Sequence, residues 1–313
     1  MVETRILPYS AETIAEAARL ITAGEPVAVA TETVYGLAAD ATNPHAVARI
    51  YAAKGRPGFN PLIVHVPTLA DAEELVTLSP ELRELAVRYW PGPLTLVAPL
   101  RQPSRIASLV AAGLPTLAVR VPAHPAMRAL LAATGRPLAA PSANASGTIS
   151  PTRAEHVFIS LNGRIPLIVD AGPCPGGLES TIVAEHEGDL RVLRPGPVQV
   201  AAELAPTGKI QSPGQLPSHY APSKPLRLNA SEGRPDEFLI GFGAVAGHSN
   251  LSASSNLEEA AARLFDLLHV ADAADQPRIA VAPIPDEGLG TAINDRLRRA
   301  AAPRTLRRSP PRS

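Results

Sequence analysis

A chain of 313 residues exceeds one average domain, and its 29 basic and 29 acidic side chains cancel, which argues against a dedicated nucleic-acid coat and a polybasic membrane surface. One cysteine, Cys174, excludes an internal disulfide and a multi-thiolate metal site. The first residues read without a basic-apolar-small leader, and no apolar run is long enough to span a bilayer, so the expected compartment is the cytoplasm, with no membrane partner.

The chain opens with a short strand over TRILPY. Ser10 is placed to cap a helix over AETIAEAARLITAG that ends at Gly24, with Ile14, Ala17, Ala18 and Ile21 on one apolar face. The strand PVAVAT follows and leads into the stretch most crowded with polar groups. There Thr31, Glu32 and Thr33 end the strand, a tight turn is expected at Gly36, and Asn43 with Pro44 signals a capped helix. That helix ends at Lys54, and Gly55 supplies a left-handed stop, so Lys54 and Arg56 flank a helix C-terminus as a cationic fork. Asn60 and Pro61 turn the chain into the strand LIVHV, with His65 near its end. Lysine occurs only at positions 54, 209 and 224 while arginine supplies the other cations, so a compact ammonium is specified at 54.

Helices are predicted over LADAEELV and from Ser79 through Trp90, then strands over PGPLTLVAPL and LPTLAVRVP. On the second of these Thr116 and Arg120 share a face. A helix over 125–134 closed by Gly135, the hydroxyl-rich loop PLAAPSANASGTISPT, the helix RAEHVFISLNG and the strands IPLIVDAG, ESTIVAEH and LRVLRPG complete the first unit. Its alternation of strands and helices, with polar groups at strand ends, predicts a twisted mixed α/β sheet enclosing a cleft over residues 1–202. Residues 203–225 are dense in Pro, Gly and Ser and read as a linker. Residues 226–302 read as a small Rossmann-like βαβ module, in which Asn256 caps the helix LEEAAARLFDLLHVADAA. Residues 303–313 are expected to be disordered.

No GxxxxGK[ST] loop, HExxH or paired CxxC occurs, so a P-loop enzyme is not expected. Polar residues at strand ends and loops include Thr33, Lys54, Arg56, Asn60, His65, Thr116, Arg120, Ser142, Asn144, Ser150, Ser180 and Arg194. Their four cations, converging in one cleft, would suit a polyphosphate. Each has a plainer reading when taken alone: the threonines as β-branched strand residues, KGR as a solvated helix end, SANASG as a turn, Cys174 as an inert thiol. Their joint occurrence carries the weight.

TETVYGLAADA, KGRPGFNPLIVHV, PGPLTLV, TLAVRVP, PSANASG and ESTIV, in this order across most of residues 5–200, resemble the YrdC-like fold of the L-threonylcarbamoyladenylate synthase family. SPGQLPSHYAP followed by PDEGLGTAINDRLRRAA is similar to the longer, two-domain form, with Gln215 where that linker usually has methionine. The resemblance implies a reaction of L-threonine, bicarbonate or CO2, and ATP that gives threonylcarbamoyl-AMP and pyrophosphate. The product would serve a separate tRNA threonylcarbamoyl transferase, with no stable tRNA binding by this chain. By the family's motif, Thr33, His65, Arg120, Ala140 and Ser180 would hold threonine, Arg120 taking its carboxylate. Arg56, Asn60, Thr116, Ser142, Ser150, Arg194 and Tyr220 would hold ATP. Lys54 and Arg56 would form the catalytic KxR pair, with Asn144 and His219 as further candidates. Mg²⁺ would accompany the phosphates without a dedicated protein metal site. His219 and Tyr220 stand in an otherwise small-residue, proline-rich stretch, which predicts a lid rather than a tether. Two other readings are an RNA-binding module with a basic cleft and no catalysis, and a carbamoyl or acyl transferase acting on another amine.

Overall fold

A computed structural model describes residues 2–206 and 219–303. Strand β1 (Arg5–Pro8) precedes helix α1 (Ala11–Thr22), whose Ser10 cap accepts from the Thr13 amide as its position predicts. Then come β2 (Val27–Val29), β3 (Gly36–Asp40) and α2 (Pro44–Lys54). The Asn43 side chain caps α2, and Gly55 stops it in the left-handed conformation at φ 58°. β4 (Ile63–His65), α3 (Leu69–Leu75), α4 (Pro80–Tyr89), β5 (Leu94–Pro99), α5 (Ser108–Ala111), β6 (Thr116–Arg120) and α6 (Pro125–Thr134) follow. β7 (Leu138–Ala139), α7 (Ala154–Leu161), β8 (Leu167–Asp170), β9 (Thr181–His186), β10 (Asp189–Arg194) and β11 (Glu203–Leu204) complete the first sheet.

These eleven strands form one mixed sheet in the order β1-β8-β2-β3-β7-β4-β6-β5-β9-β10-β11. Apolar side chains of α1 and α6 pack on one face of the sheet. Those of α2, α3, α4, α5 and α7 pack on the other. Parallel pairing of β4 with β6 sets His65 directly beside Arg120, and antiparallel pairing with β7 sets Leu138 on its other side. Three chain-distant strand ends thus meet at one point.

Gly36 is not in a turn. It begins β3, and the bend falls in residues 31–35, where Thr31 Oγ1 accepts from the Thr33 and Val34 amides and organises the turn. A Cβ at position 36 would make only an ordinary contact, 3.4 Å from the Ala140 Cβ. The first sheet also runs slightly past the predicted boundary at 202, because β11 pairs in parallel with β10.

The remaining elements are β12 (Leu226–Arg227), β13 (Glu237–Gly241), β14 (Ser249–Asn250), α8 (Leu257–Ala273), β15 (Arg278–Val281) and α9 (Leu289–Ala301). Their strands form an all-parallel sheet in the order β12-β15-β13-β14, the arrangement expected of a Rossmann-like module. Its core takes in Val34, Ile149, Leu178 and Tyr220, so the two units share buried apolar surface. Gly177 (φ 68°) permits the contact, since a Cβ there would lie 2.4 Å from the Ala261 carbonyl oxygen in α8. Of the predicted linker, residues 207–218, including Gln215, lie outside the described residues, as does the predicted tail from 304 onward.

Candidate active site

One cleft opens in the first unit, with His219 and Tyr220 of the linker forming part of its wall; its void is about 550 Å³ counting the open mouth. Thr33, Arg56, His65, Arg120, Ala140, Ser142, Ser180, Arg194, His219 and Tyr220 line it, so ten of the residues singled out in the sequence converge. Lys54, Asn60, Asn144 and Ser150 stand behind that lining and bond to it or to its neighbours. Thr116 does not reach the lining: half-buried at the start of β6, it is about 13 Å along the strand from Arg120 at a rise of about 3.3 Å per residue.

The cations define the site's electrostatics. Arg56 donates from Nε to the Asn60 carbonyl (3.1 Å) and from Nη2 to the Pro61 carbonyl (2.7 Å). Arg194 donates to the Ser180 carbonyl (3.0 Å) and hydroxyl (3.1 Å). Lys54 does not point off its helix end as the sequence pattern implied. Its Nζ turns inward and donates to the carbonyls of Ser142 (2.6 Å) and Asn144 (2.5 Å), pinning the PSANASG loop. All three are buried, at 3, 9 and 4 % exposure for Lys54, Arg56 and Arg194. None has a carboxylate partner among the described residues, and residues 207–218 and 304–313 contain no Asp or Glu.

Burial, with Arg56 as a like-charged neighbour, holds the Lys54 ammonium well below the usual lysine range. Burial also pulls Arg56 down to about 10, with Arg194 adding to the push. Two buried guanidiniums without counter-ions, Arg56 and Arg194, make an anion-seeking pocket, while Lys54 braces it from behind.

Arg120 sits differently. It donates to the Glu32 carboxylate (2.6 Å), the Thr33 hydroxyl (3.1 Å) and the Gly92 carbonyl (3.1 Å), which leaves two of its five N–H groups for a ligand. Burial alone would raise the Glu32 carboxyl, but the guanidinium outweighs it and holds the group below the usual carboxylate range. His65 is buried beside Arg120, and burial followed by that positive neighbour brings it down to about 3, so its ring stays neutral at any ordinary pH. Burial pushes the Cys174 thiol up to about 12, which keeps it protonated and inert.

Buried side-chain atoms without a hydrogen-bond partner among the described residues are Asn60 Oδ1 and Nδ2, His65 Nδ1, His219 Nδ1 and the Tyr220 hydroxyl. All belong to the cleft or its supporting layer. Tyr220 approaches Arg194 electrostatically without making a hydrogen bond of acceptable geometry. Folded proteins rarely leave such groups unpaired unless a ligand, an ion or water serves them. No group of three or more His, Cys, Asp or Glu that could hold a metal occurs among the described residues.

Sequence reasoning placed Glu32 at a strand end without making it a site candidate, and passed over Glu179 and Arg296. Glu179 lines the cleft, accepts from the Ser150 hydroxyl (2.5 Å) and pairs with Arg296 (2.7 Å). Arg296 stands on the apolar face of α9 with Ala292, Ile293, Leu297 and Ala300, all buried. A charged residue on that face was the one available signal.

Comparisons with known proteins fit this geometry. The Sua5/YciO/YrdC family model, described as "Telomere recombination", matches residues 19–196, and the model "Threonylcarbamoyl-AMP synthase, C-terminal domain" matches residues 183–302. The threonylcarbamoyl-AMP synthase of Bacillus subtilis is 40% identical over 94% of each chain, and that of Pyrococcus abyssi 36% identical over 93% of this chain and 94% of its own. The crystal structure of P. abyssi Sua5 complexed with L-threonine superposes with a TM-score of 0.86 at 35% identity, covering 96% of this chain and 97% of that one. E. coli YciO, at 18% identity and a TM-score of 0.56, shares the fold over 64% of this chain. The chain therefore belongs to the two-domain threonylcarbamoyl-AMP synthase family.

Proposed function

We propose that this chain makes L-threonylcarbamoyl-AMP and pyrophosphate from L-threonine, bicarbonate or CO2, and ATP. The observation that carries the reading is the pair of buried guanidiniums with no carboxylate partner, Arg56 and Arg194, lining the same cleft as Arg120, with Lys54 buried behind them. Buried cations recessed in this way suit a small polyanion and cannot reach along a nucleic-acid backbone, which disfavours an RNA-binding role.

Arg120 has two N–H groups free for the threonine carboxylate, with Thr33, His65 and Ser180 as polar neighbours and Ala140 as a small apolar wall. At the other end Arg56 and Arg194 face the phosphates, with Ser142 and Tyr220 beside them. Asn60 and Ser150 support that end from behind, and Thr116 would serve a more distal part of the nucleotide. In the reaction the threonine nitrogen bonds to the carbon of CO2 and loses a proton. A carbamate oxygen then bonds to the α-phosphorus as the bond from that phosphorus to the bridging oxygen of the β-phosphate breaks. The enzyme supplies no nucleophile, so catalysis is alignment and neutralisation of the leaving pyrophosphate by preorganised cations.

Mg²⁺ would enter on the nucleotide's own phosphates. Both carboxylates at the cleft, Glu32 and Glu179, are already engaged by arginines, and no metal-binding cluster occurs among the described residues. The adenylate would pass to a transferase acting on adenosine in tRNA. No helix among the described residues is long and apolar enough to cross a membrane, and a cytoplasmic setting fits that reaction. Pyrophosphate release from ATP tests the reading. It should require threonine and bicarbonate together and fall when serine replaces threonine, since one methyl in an apolar pocket is worth about 1–3 kcal/mol. Full-rate release without either co-substrate would overturn it.

A further inference from the structure

The buried arginine of α9 reaches out of its own domain. Its side chain is fully buried and is the largest of the fully buried side chains. From one guanidinium it donates to the Glu179 carboxylate (2.7 Å), to the Glu179 carbonyl (3.4 Å), to the Pro195 carbonyl (2.9 Å) and to its own neighbour Asp295 (2.8 Å). Its carbon also lies 5.4 Å from the centre of the Tyr220 ring. Three separate stretches around the cleft are therefore tied to one residue of the second unit: the loop bearing Glu179 and Ser180, the turn that follows Arg194, and the segment bearing His219 and Tyr220.

A domain interface needing only adhesion would gain more from apolar packing, because dehydrating an arginine costs several kcal/mol that pairing only partly offsets. Two further observations locate the purpose. Tyr220 holds a left-handed backbone (φ 62°), which disfavours a tyrosine by about 1–3 kcal/mol. Its ring is clamped between Arg296 on one side and Phe265 (5.6 Å) on another. Glu179, for its part, is a buried anion in the lining of a pocket otherwise set for anions, and Arg296 neutralises it.

We propose that Arg296 is a positioning residue for the nucleotide half of the site. It cancels the Glu179 charge that would repel phosphate, and it holds Tyr220 in its strained conformation against the cleft. The second unit thereby completes the active site rather than merely accompanying it. The inference rests on the assignment of the Arg56–Arg194 end to ATP.

The test uses the full chain and calorimetric titrations of ATP and of L-threonine against the parent, Arg296→Met and Arg296→Lys, with circular dichroism confirming a folded state. For Arg296→Met, ATP affinity should fall tenfold or more while threonine affinity falls by no more than about threefold, because Arg120, Glu32 and Thr33 do not touch Arg296 and only Ser180, next to Glu179, links it to the threonine residues. Arg296→Lys keeps the charge but cannot bridge Glu179 and Pro195 together, so the same split should appear at about threefold or more. If the methionine variant does not fold, the lysine variant alone carries the test. Unchanged ATP affinity in a folded variant, or equal losses for ATP and threonine, would overturn the proposal. A parent protein that binds neither ligand would instead overturn the assignment of function.

Discussion

Replacing Lys54 by methionine separates a buried anchor from a solvated helix end. The ammonium donates to the carbonyls of Ser142 and Asn144 at 2.6 and 2.5 Å with only 3 % of the residue exposed. Methionine nearly matches its volume, so no large cavity forms and the change is chiefly the loss of those bonds. Each buried carbonyl left without a donor costs about 1–3 kcal/mol, which sums to about 2–6 kcal/mol. Removing the ammonium also removes its own dehydration penalty, the same effect that holds its pKa well below the usual range. The net expectation is a destabilisation of about 2–4 kcal/mol, with turnover reduced because Ser142 lines the cleft. Urea unfolding followed by circular dichroism reads the first effect and pyrophosphate release at saturating substrates the second. A variant within about 0.5 kcal/mol of the parent, the range typical of exposed positions, would refute the anchoring role.

Arg56→Ala takes a planar donor from the phosphates and leaves the Pro61 carbonyl without its donor while the Asn60 carbonyl keeps Tyr51, so turnover should drop tenfold to a hundredfold in a chain that still folds but is less stable by about 1–3 kcal/mol; unchanged kcat and KM would count against the assignment. Acid should weaken the protein through His65, whose folded pKa of about 3 lies below its unfolded value near 6.5. Below pH 6.5 the unfolded chain takes up the proton first, so stability is lost at about 1.4 kcal/mol per pH unit as pH falls towards 3. His65→Gln should lessen, without abolishing, the fall of the urea midpoint between pH 7 and 5, since burial also holds His156 at about 3 and His219 well below the usual range, and an unaltered slope would show that His65 does not contribute. Tyr220→Ala should weaken ATP binding and raise the share of hydrolysed product per turnover if the segment closes the cleft as a lid; full activity with parent-like product yield would mark it as a passive tether.

Local chemistry was the most legible part of the sequence. The caps at Ser10, Asn43, Ser79 and Asn256 and the left-handed stops at Gly55 and Gly135 depend on neighbours a few residues away, and all are found as read. Gly36 was misread because a lone glycine near polar residues signals a turn, whereas the residue begins β3. The cleft's composition was legible through motif resemblance, but its charge pairing was not. Glu32 meets Arg120 across 88 positions and Glu179 meets Arg296 across 117. No local pattern encodes such pairs, and DRLRRAA looks like a basic helix surface until Arg296 is placed among the apolar residues of α9. Lys54 was singled out correctly as unusual, but the helix-end argument aimed it at a ligand, while the fold aims it at backbone carbonyls.

The central claim is tested most directly by incubating the protein with ATP, L-threonine and ¹³C-labelled bicarbonate and reading the nucleotide products by mass spectrometry. The account predicts a threonylcarbamoyl adenylate carrying one labelled carbon, formed together with pyrophosphate and absent when threonine is omitted. Pyrophosphate formation with no labelled adenylate under rapid quenching, or a labelled adduct with another amine in preference to threonine, would contradict it.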